Sequence, residues 1–114
     1  MGTCRTVVTY RNCFEAFMDE QTPKAQAKIL QILRLVEELE IVPQNYLKHI
    51  EGTNGLYEIR IGYGRQAFRV LCCFDDRKLV VLLSAFVKKT QKTPIGEDNK
   101  ALALKKSFFK EKNS

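Results

Sequence analysis

The sequence has little of what would mark a membrane, secreted or metal-binding protein. Tryptophan is absent, histidine occurs once and proline three times in 114 residues. No run approaches the ~18 consecutive apolar residues that a transmembrane helix needs, and the N-terminus lacks a charged-then-apolar signal pattern. We therefore expect one domain, residues 1–114, located in the cytoplasm and not bound to a membrane.

The four cysteines show no spacing typical of a metal site. Cys72 and Cys73 are adjacent, so on a strand their side chains would point to opposite faces, and Cys4 and Cys13 belong to no C-x-x-C pair. There is one histidine, His49, which is too few for histidine to serve as a second type of metal ligand. We predict four reduced, mostly buried thiols and no metal or other cofactor.

Positive charge is concentrated in the second half of the chain. Residues 1–51 carry six basic and seven acidic side chains, residues 52–87 five and three, and residues 88–114 eight and three. Such asymmetry attracts polyanions, of which nucleic acid is the commonest. The alternative is a basic tail that is only solvated.

The first half is predicted to be a strand followed by two helices. Residues 4–10, CRTVVTY, are β-branched and short, which favours a strand. Asn12 and Glu15 have the spacing of a capping box that opens a short helix. Thr22 followed by Pro23 is typical of a second helix start, and apolar residues at helical spacing continue to about residue 40.

The second half changes to strand periodicity. Residues 56–61 alternate, with Tyr57 on one face and Arg60 on the other. Residues 79–87 are apolar on both faces, which favours the central strand of a sheet. The predicted elements are strands over 56–61, 67–74 and 79–87, joined as an antiparallel meander, and a helix over about 97–110. The fold class is therefore α+β.

Arg69 lies between Phe68 and Val70 in an otherwise apolar strand, where an unpaired charge is costly. If residues 62–65 form a four-residue loop, Glu58 faces Arg69 and could pair with it, and the two arginines share one face of the sheet. A five-residue loop would separate the two arginines, and the sequence leaves both lengths open. The alternative to the ion pair is an isolated charge kept for function, and the two explanations can coexist. Further along, the segment SAFVKKTQKTP places three lysines directly after the last strand, where an anion could dock.

The second half of the chain resembles a known protein family. The run LYEIRI…AFRVLCCFDDRKLVVLLSAFVKKTQKTP, within about residues 55–105, is similar to the RelE/ParE superfamily of toxins, most of all to the HigB-like and phage-derived branch of type II toxin–antitoxin systems. The resemblance implies a RelE-like fold with a curved sheet. It also implies ribosome-dependent mRNA cleavage at the decoding site, and a cognate antitoxin, expected to be a helix-turn-helix protein.

The resemblance also implies site residues. It gives catalytic roles to Arg60, Arg69 and Lys89, and RNA-binding roles to Lys88, Lys92 and Arg65. Glu58 departs from the family pattern, which has a basic residue there, and Pro94 with Ile95 stand where some relatives have an aromatic residue.

Metal-independent cleavage is chemically coherent with these residues. The 2′-hydroxyl of RNA can attack the adjacent phosphorus, and guanidinium and ammonium groups can stabilise the added negative charge. For proton transfer, His49 is interpreted as structural, Tyr57 lies on the face opposite Arg60, and Tyr63 or a lysine of lowered pKa remain candidates. Two alternatives stay open: a non-catalytic member that binds a protein such as gyrase, and a phage-derived nucleic-acid or assembly module.

Overall fold

The computed structural model of the protein describes residues 4–89 and 94–114. Five strands form one mixed sheet in the order β1-β5-β4-β3-β2, in which β1 is parallel to β5 and all other neighbours are antiparallel. The α+β class and the order of elements are confirmed, and the architecture is consistent with a RelE-like fold. The elements are β1 (Thr6–Thr9), α1 (Cys13–Asp19), α2 (Pro23–Glu38), β2 (Leu47–His49), β3 (Tyr57–Tyr63), β4 (Gln66–Asp75), β5 (Leu79–Val87) and α3 (Ile95–Lys112).

Two features of the sheet differ from the prediction. The meander β3–β4–β5 is present, but its middle strand β4, not β5, occupies the centre of the sheet. β5 is apolar on both faces because it too is an interior strand, with β1 on its other side. The edge strand β2 was not predicted, since three residues are too few to show a periodicity.

The two faces of the sheet are covered by different helices. Ile59, Val70 and Leu82 belong to a buried cluster with α1 and α2, and we call this side the α1–α2 face. Leu71, Leu83 and other residues of the opposite side pack against Ala101 and its neighbours in α3, and we call this side the α3 face. The strict alternation of β3 decides which of its side chains lie on each face.

Of the two predicted helix starts, that of α2 is confirmed and the capping box of α1 is not. Thr22 caps α2 through its hydroxyl, which accepts a hydrogen bond from the Ala25 N–H at 3.2 Å. The capping box of α1 is wrong, because the side chain of Asn12 makes no capping hydrogen bond. The carboxylate of Glu15 instead accepts a hydrogen bond from the Thr9 hydroxyl at 3.0 Å, which draws it toward the end of β1.

The C-terminal end of α2 is held by an arginine from outside the helix. The Arg5 guanidinium donates hydrogen bonds to the carbonyls of Val36 at 3.1 Å, Leu39 at 2.6 Å and Glu40 at 2.8 Å. A helix leaves its last four carbonyls without partners inside the helix, and a cation there also interacts favourably with the helix dipole. Arg5 therefore joins β1 to the end of α2.

Arg5→Ala should lower the free energy of unfolding by about 1–3 kcal/mol, because it removes a charged donor from three carbonyls. Urea denaturation of both proteins measures the difference. The matched control is Arg34→Ala, which removes an exposed pair with Glu38 one turn away and should cost less than about 0.5 kcal/mol. Equal losses in the two variants would contradict this account of Arg5.

The four cysteines are free thiols, of which Cys72 and Cys73 are buried, Cys13 is half-buried and Cys4 is exposed. The prediction of mostly buried thiols is therefore wrong for Cys4. Burial raises the pKa of Cys73 to about 11 and that of Cys72 still further, so both stay protonated near neutral pH. Within residues 4–89 and 94–114, no three His, Cys, Asp or Glu side chains are grouped as a metal site would require. None of the helices in that part of the chain has the length and apolar character of a membrane span.

Candidate nucleic-acid interface

The β3–β4 hairpin is tighter than the sequence suggested. The strands pair as far as Tyr63 with Gln66, so only Gly64 and Arg65 form the turn, and Gly64 adopts a φ of +59°. The four-residue and five-residue loops considered from the sequence are therefore both wrong. Alternating hairpin strands of this kind favour a two-residue turn with positive φ. The register moves accordingly, and Arg60 lies directly opposite Arg69.

The two arginines meet at a close position of the ladder. The Arg60 N–H donates to the Tyr46 carbonyl toward β2, at 2.8 Å. Its side toward β4 is therefore a non-hydrogen-bonded pair, where opposed side chains approach most closely. Like charges placed directly opposite one another destabilise a sheet, so this arrangement needs a compensating charge.

Glu58 supplies that charge. Its Oε2 lies 3.2 Å from Nε of Arg60 and 3.6 Å from Nε of Arg69. Glu58 is 7% exposed and Arg69 8%, whereas the Arg60 side chain is 33% exposed. The ion pair between Glu58 and Arg69 is present, although it is diagonal and not directly across the strands, and Arg69 is not an isolated charge.

The two guanidiniums differ in what they can reach. Arg69 also donates from Nη1 to the carbonyl of its neighbour Phe68 at 2.9 Å, and its pKa is lowered by burial, with Arg60 adding to the effect and Glu58 opposing it. Arg60 is the guanidinium that an external anion can contact. Arg69 lies beside it on the neighbouring strand β4 and is buried, so it contributes positive potential without being open to solvent.

Lys88 extends the same surface beyond the end of β5. Its N–H donates to the Ala67 carbonyl at 2.7 Å, which continues the ladder. By alternation from Phe86, the partner of Arg69, Lys88 falls on the α3 face. Partial burial lowers its pKa, and Arg69, Arg60 and Lys48 lower it further, while Glu58 opposes them.

The remaining predicted residues are dispersed. Lys89 follows Lys88 directly and is exposed. Arg65 is exposed at the hairpin turn, four residues and roughly 13 Å along the strand from Arg69 at ~3.3 Å per residue. Lys92 lies outside the described residues.

Lys48 was missed by sequence reasoning. It is exposed on β2 and lies directly opposite Glu58. No sequence pattern could have revealed it, because the three residues of β2 are too few to show a periodicity. We call the surface formed by Lys48, Glu58, Arg60, Arg69 and Lys88 the basic face.

The first turn of α3 brings acidic side chains toward the basic face. Asp98 interacts electrostatically with Glu58 and with Glu97. Its pKa is raised by partial burial first and by these two carboxylates second. The basic face is therefore bordered by the negative charges of Glu97 and Asp98 at the start of α3.

The aromatic and histidine candidates for proton transfer lie on the other side of the sheet. Tyr57 and Tyr63 belong to the α1–α2 face, where Tyr63 stacks on Phe68. His49 packs edge-on against Tyr57, and its Nε2 lies 3.0 Å from the Thr53 carbonyl. Of the proton-transfer candidates within the described residues, Lys88 is the one that interacts with both arginines.

Comparison with known protein families identifies the chain. Residues 16–106 match the family model described as phage-derived protein Gp49-like (DUF891). The chain belongs to this family. The Gp49-like family is a RelE/ParE-like toxin family of toxin–antitoxin systems. The match includes every residue of the basic face, so the surface is part of the shared domain and not an appendage. No match was found among curated proteins.

Proposed function

We propose that this Gp49-like protein is the toxin of a type II toxin–antitoxin system, of the HigB-like branch, and acts in the cytoplasm. Its activity would be ribosome-dependent cleavage of mRNA at the decoding site, without a metal ion, which inhibits translation. One observation carries the proposal: Arg60, Arg69 and Lys88 lie together on one face of the sheet. They occupy the positions to which a RelE-like motif assigns RNA cleavage and binding.

The basic face suits the chemistry of RNA self-cleavage. Attack by a 2′-hydroxyl adds negative charge to the phosphate oxygens, and a preorganised cation at that point lowers the barrier. Arg60 can contact a phosphate because its side chain is partly exposed, while buried Arg69 adds positive potential from the neighbouring strand. Because both arginines are held by Glu58, little reorganisation is needed when the substrate binds.

Lys88 is the residue of this face best suited to move a proton. Its lowered pKa makes the ammonium a better acid than an ordinary lysine, and a catalytic acid works best when its pKa approaches the working pH. Lys88 would donate a proton to the 5′-oxygen as its bond to phosphorus breaks and the 2′,3′-cyclic phosphate forms, while the proton of the attacking 2′-hydroxyl would pass to water. Exposed Lys89 completes the catalytic set of the proposal, with Lys92 and Arg65 as further contacts to the RNA backbone.

The antitoxin would be the partner that controls this surface. A basic face is complemented by an acidic segment, and the expected antitoxin is a helix-turn-helix protein encoded next to the toxin gene. Co-expression of the two gene products should restore growth and yield a stable complex on purification. Failure to co-purify, together with harmless expression of the toxin alone, would contradict the proposal.

A second candidate is a non-catalytic member that binds a protein target such as gyrase. The burial of Arg69 and the position of Tyr57 and Tyr63 on the opposite face favour it, because both leave the basic face with fewer reactive groups. Such a protein would arrest growth and inhibit supercoiling by gyrase, and mRNA would stay intact.

A further inference from the structure

We propose that Lys48 on the edge strand β2 is a second backbone-binding point for RNA, so that the bound strand crosses the sheet diagonally from β2 to the end of β5. The proposal rests on the proposed function and deepens it, since it concerns how the same site holds its substrate. It adds a residue from a strand that the family-like motif, which starts at β3, does not include.

The register of β2 places Lys48 on the basic face. Leu47 packs with the core of the α1–α2 face, and His49 contacts Tyr57 on that same side. Successive side chains of a strand point to opposite faces, so Lys48 lies on the α3 face. Its partner across the ladder is Glu58, the residue that holds both arginines.

Backbone hydrogen bonds pair β2 with β3. The Arg60 N–H donates to the Tyr46 carbonyl at 2.8 Å, and the Ile50 N–H donates to the Leu56 carbonyl at 2.9 Å, on either side of Lys48. The turn before β2 is closed by the N–H groups of Tyr46 and Leu47, which both donate to the Pro43 carbonyl. Lys48 is therefore an exposed cation on a strand whose backbone is hydrogen-bonded to β3 on both sides of it.

The four cations lie on four neighbouring strands. Lys48 comes from β2, Arg60 from β3 and Arg69 from β4, and Lys88 continues β5. At ~4.8 Å between strands the row is about 14 Å wide. The register also steps along the strands, because Lys48 is level with Glu58, while Lys88 is level with Ala67 on the other side of the arginine pair. The row is thus a diagonal.

Charge balance explains why the outer lysines matter. Glu58 offsets one of the two arginine charges, and Asp98 of α3 adds negative charge beside Glu58, so the centre of the basic face carries little net positive charge, while Lys48 and Lys88 flank it on opposite sides. The two ammoniums affect each other electrostatically across this centre. An RNA strand that touched only the centre would therefore gain little electrostatic attraction, whereas a strand that followed the diagonal would also be attracted by Lys48 and Lys88.

Binding of non-cleavable 2′-O-methyl RNA to the full chain tests the proposal. The probes would run from about three to about eight nucleotides, extended from either end, with affinity measured against salt concentration. Lys48→Gln should reduce the magnitude of the salt slope by about 0.7, the value for one contact with a single strand. It should also weaken binding of the longer probes about three- to tenfold, and that of the shortest probes hardly at all.

The matched control is Lys24→Gln, since Lys24 is also exposed but lies on α2, which covers the opposite face. It should bind every probe as wild type does. If Lys48→Gln keeps the wild-type slope and affinities while Lys88→Gln weakens binding, the diagonal path is wrong, although the proposed function stands. If wild-type protein neither binds the probes nor cleaves mRNA on ribosomes, the proposed function itself fails.

Discussion

Arg60→Ala should lower the rate of mRNA cleavage on translating ribosomes by about a hundred- to a thousandfold, the usual cost of losing one preorganised charge donor. Arg60 is the exposed member of the arginine pair, so it is the group that a phosphate contacts first. Its loss should change stability little, because Glu58 keeps its pairing with Arg69 and the two like charges are no longer opposed. Single-turnover cleavage and thermal denaturation of the same preparations measure both effects.

The control for this variant is Lys110→Ala. Lys110 is exposed near the end of α3, far along the helix from the acidic first turn that borders the basic face. The Lys110→Ala variant should cleave mRNA at the wild-type rate. Lys112 is a poorer control, because it pairs with Asp75 at 2.7 Å. If the Arg60→Ala variant cleaves at the wild-type rate, Arg60 is not part of the site.

Arg69→Ala should abolish cleavage and should also lower the free energy of unfolding by about 1–3 kcal/mol. This is the cost of removing one partner of a buried ion pair when the remaining carboxylate, Glu58, still pairs with Arg60. Arg69 is 8% exposed, and its loss leaves the equally buried Glu58 with less compensating charge and a cavity beside it. An isolated arginine would behave in the opposite way, since removing it would leave stability unchanged or raised. Chemical denaturation and the cleavage assay together measure the two effects.

A double-mutant comparison tests the pairing itself. Arg69→Met keeps much of the side-chain volume, and Glu58→Gln removes the opposing charge. If the two residues are coupled, Glu58→Gln should cost less in the Arg69→Met background than in wild type, because the carboxylate no longer faces a buried guanidinium. Additive losses of stability would contradict the ion pair.

The strand pattern of the second half was predictable because alternation and apolar runs report burial directly. Tyr57 and Arg60 fall on the faces that their alternation indicated, and β5 is interior as its two apolar faces required. The short edge strand β2 was beyond reach, since three residues carry too little pattern. Its pairing partner, and so the place of Lys48 in the site, depends on tertiary contacts alone.

The candidate site, too, was predictable from the sequence only in part. Its basic residues could be named from spacing and resemblance, but their mutual geometry depends on a turn that is two residues long, where the sequence suggested four or five. That shift of register places Arg60 opposite Arg69 and turns Glu58 from a direct partner into a diagonal bridge. The role of Arg5 was also hidden, because its three carbonyl partners lie more than thirty residues away in sequence.

The central claim is tested most directly by adding the purified protein to ribosomes stalled on a defined mRNA and mapping the new RNA ends. We predict cleavage at the decoding site by wild-type protein, 5′-hydroxyl ends on the downstream fragments, and loss of cleavage in Arg60→Ala but not in Lys110→Ala. Intact mRNA with wild-type protein that still arrests growth would contradict the account and favour a protein target, which inhibition of gyrase supercoiling by the same preparation would reveal.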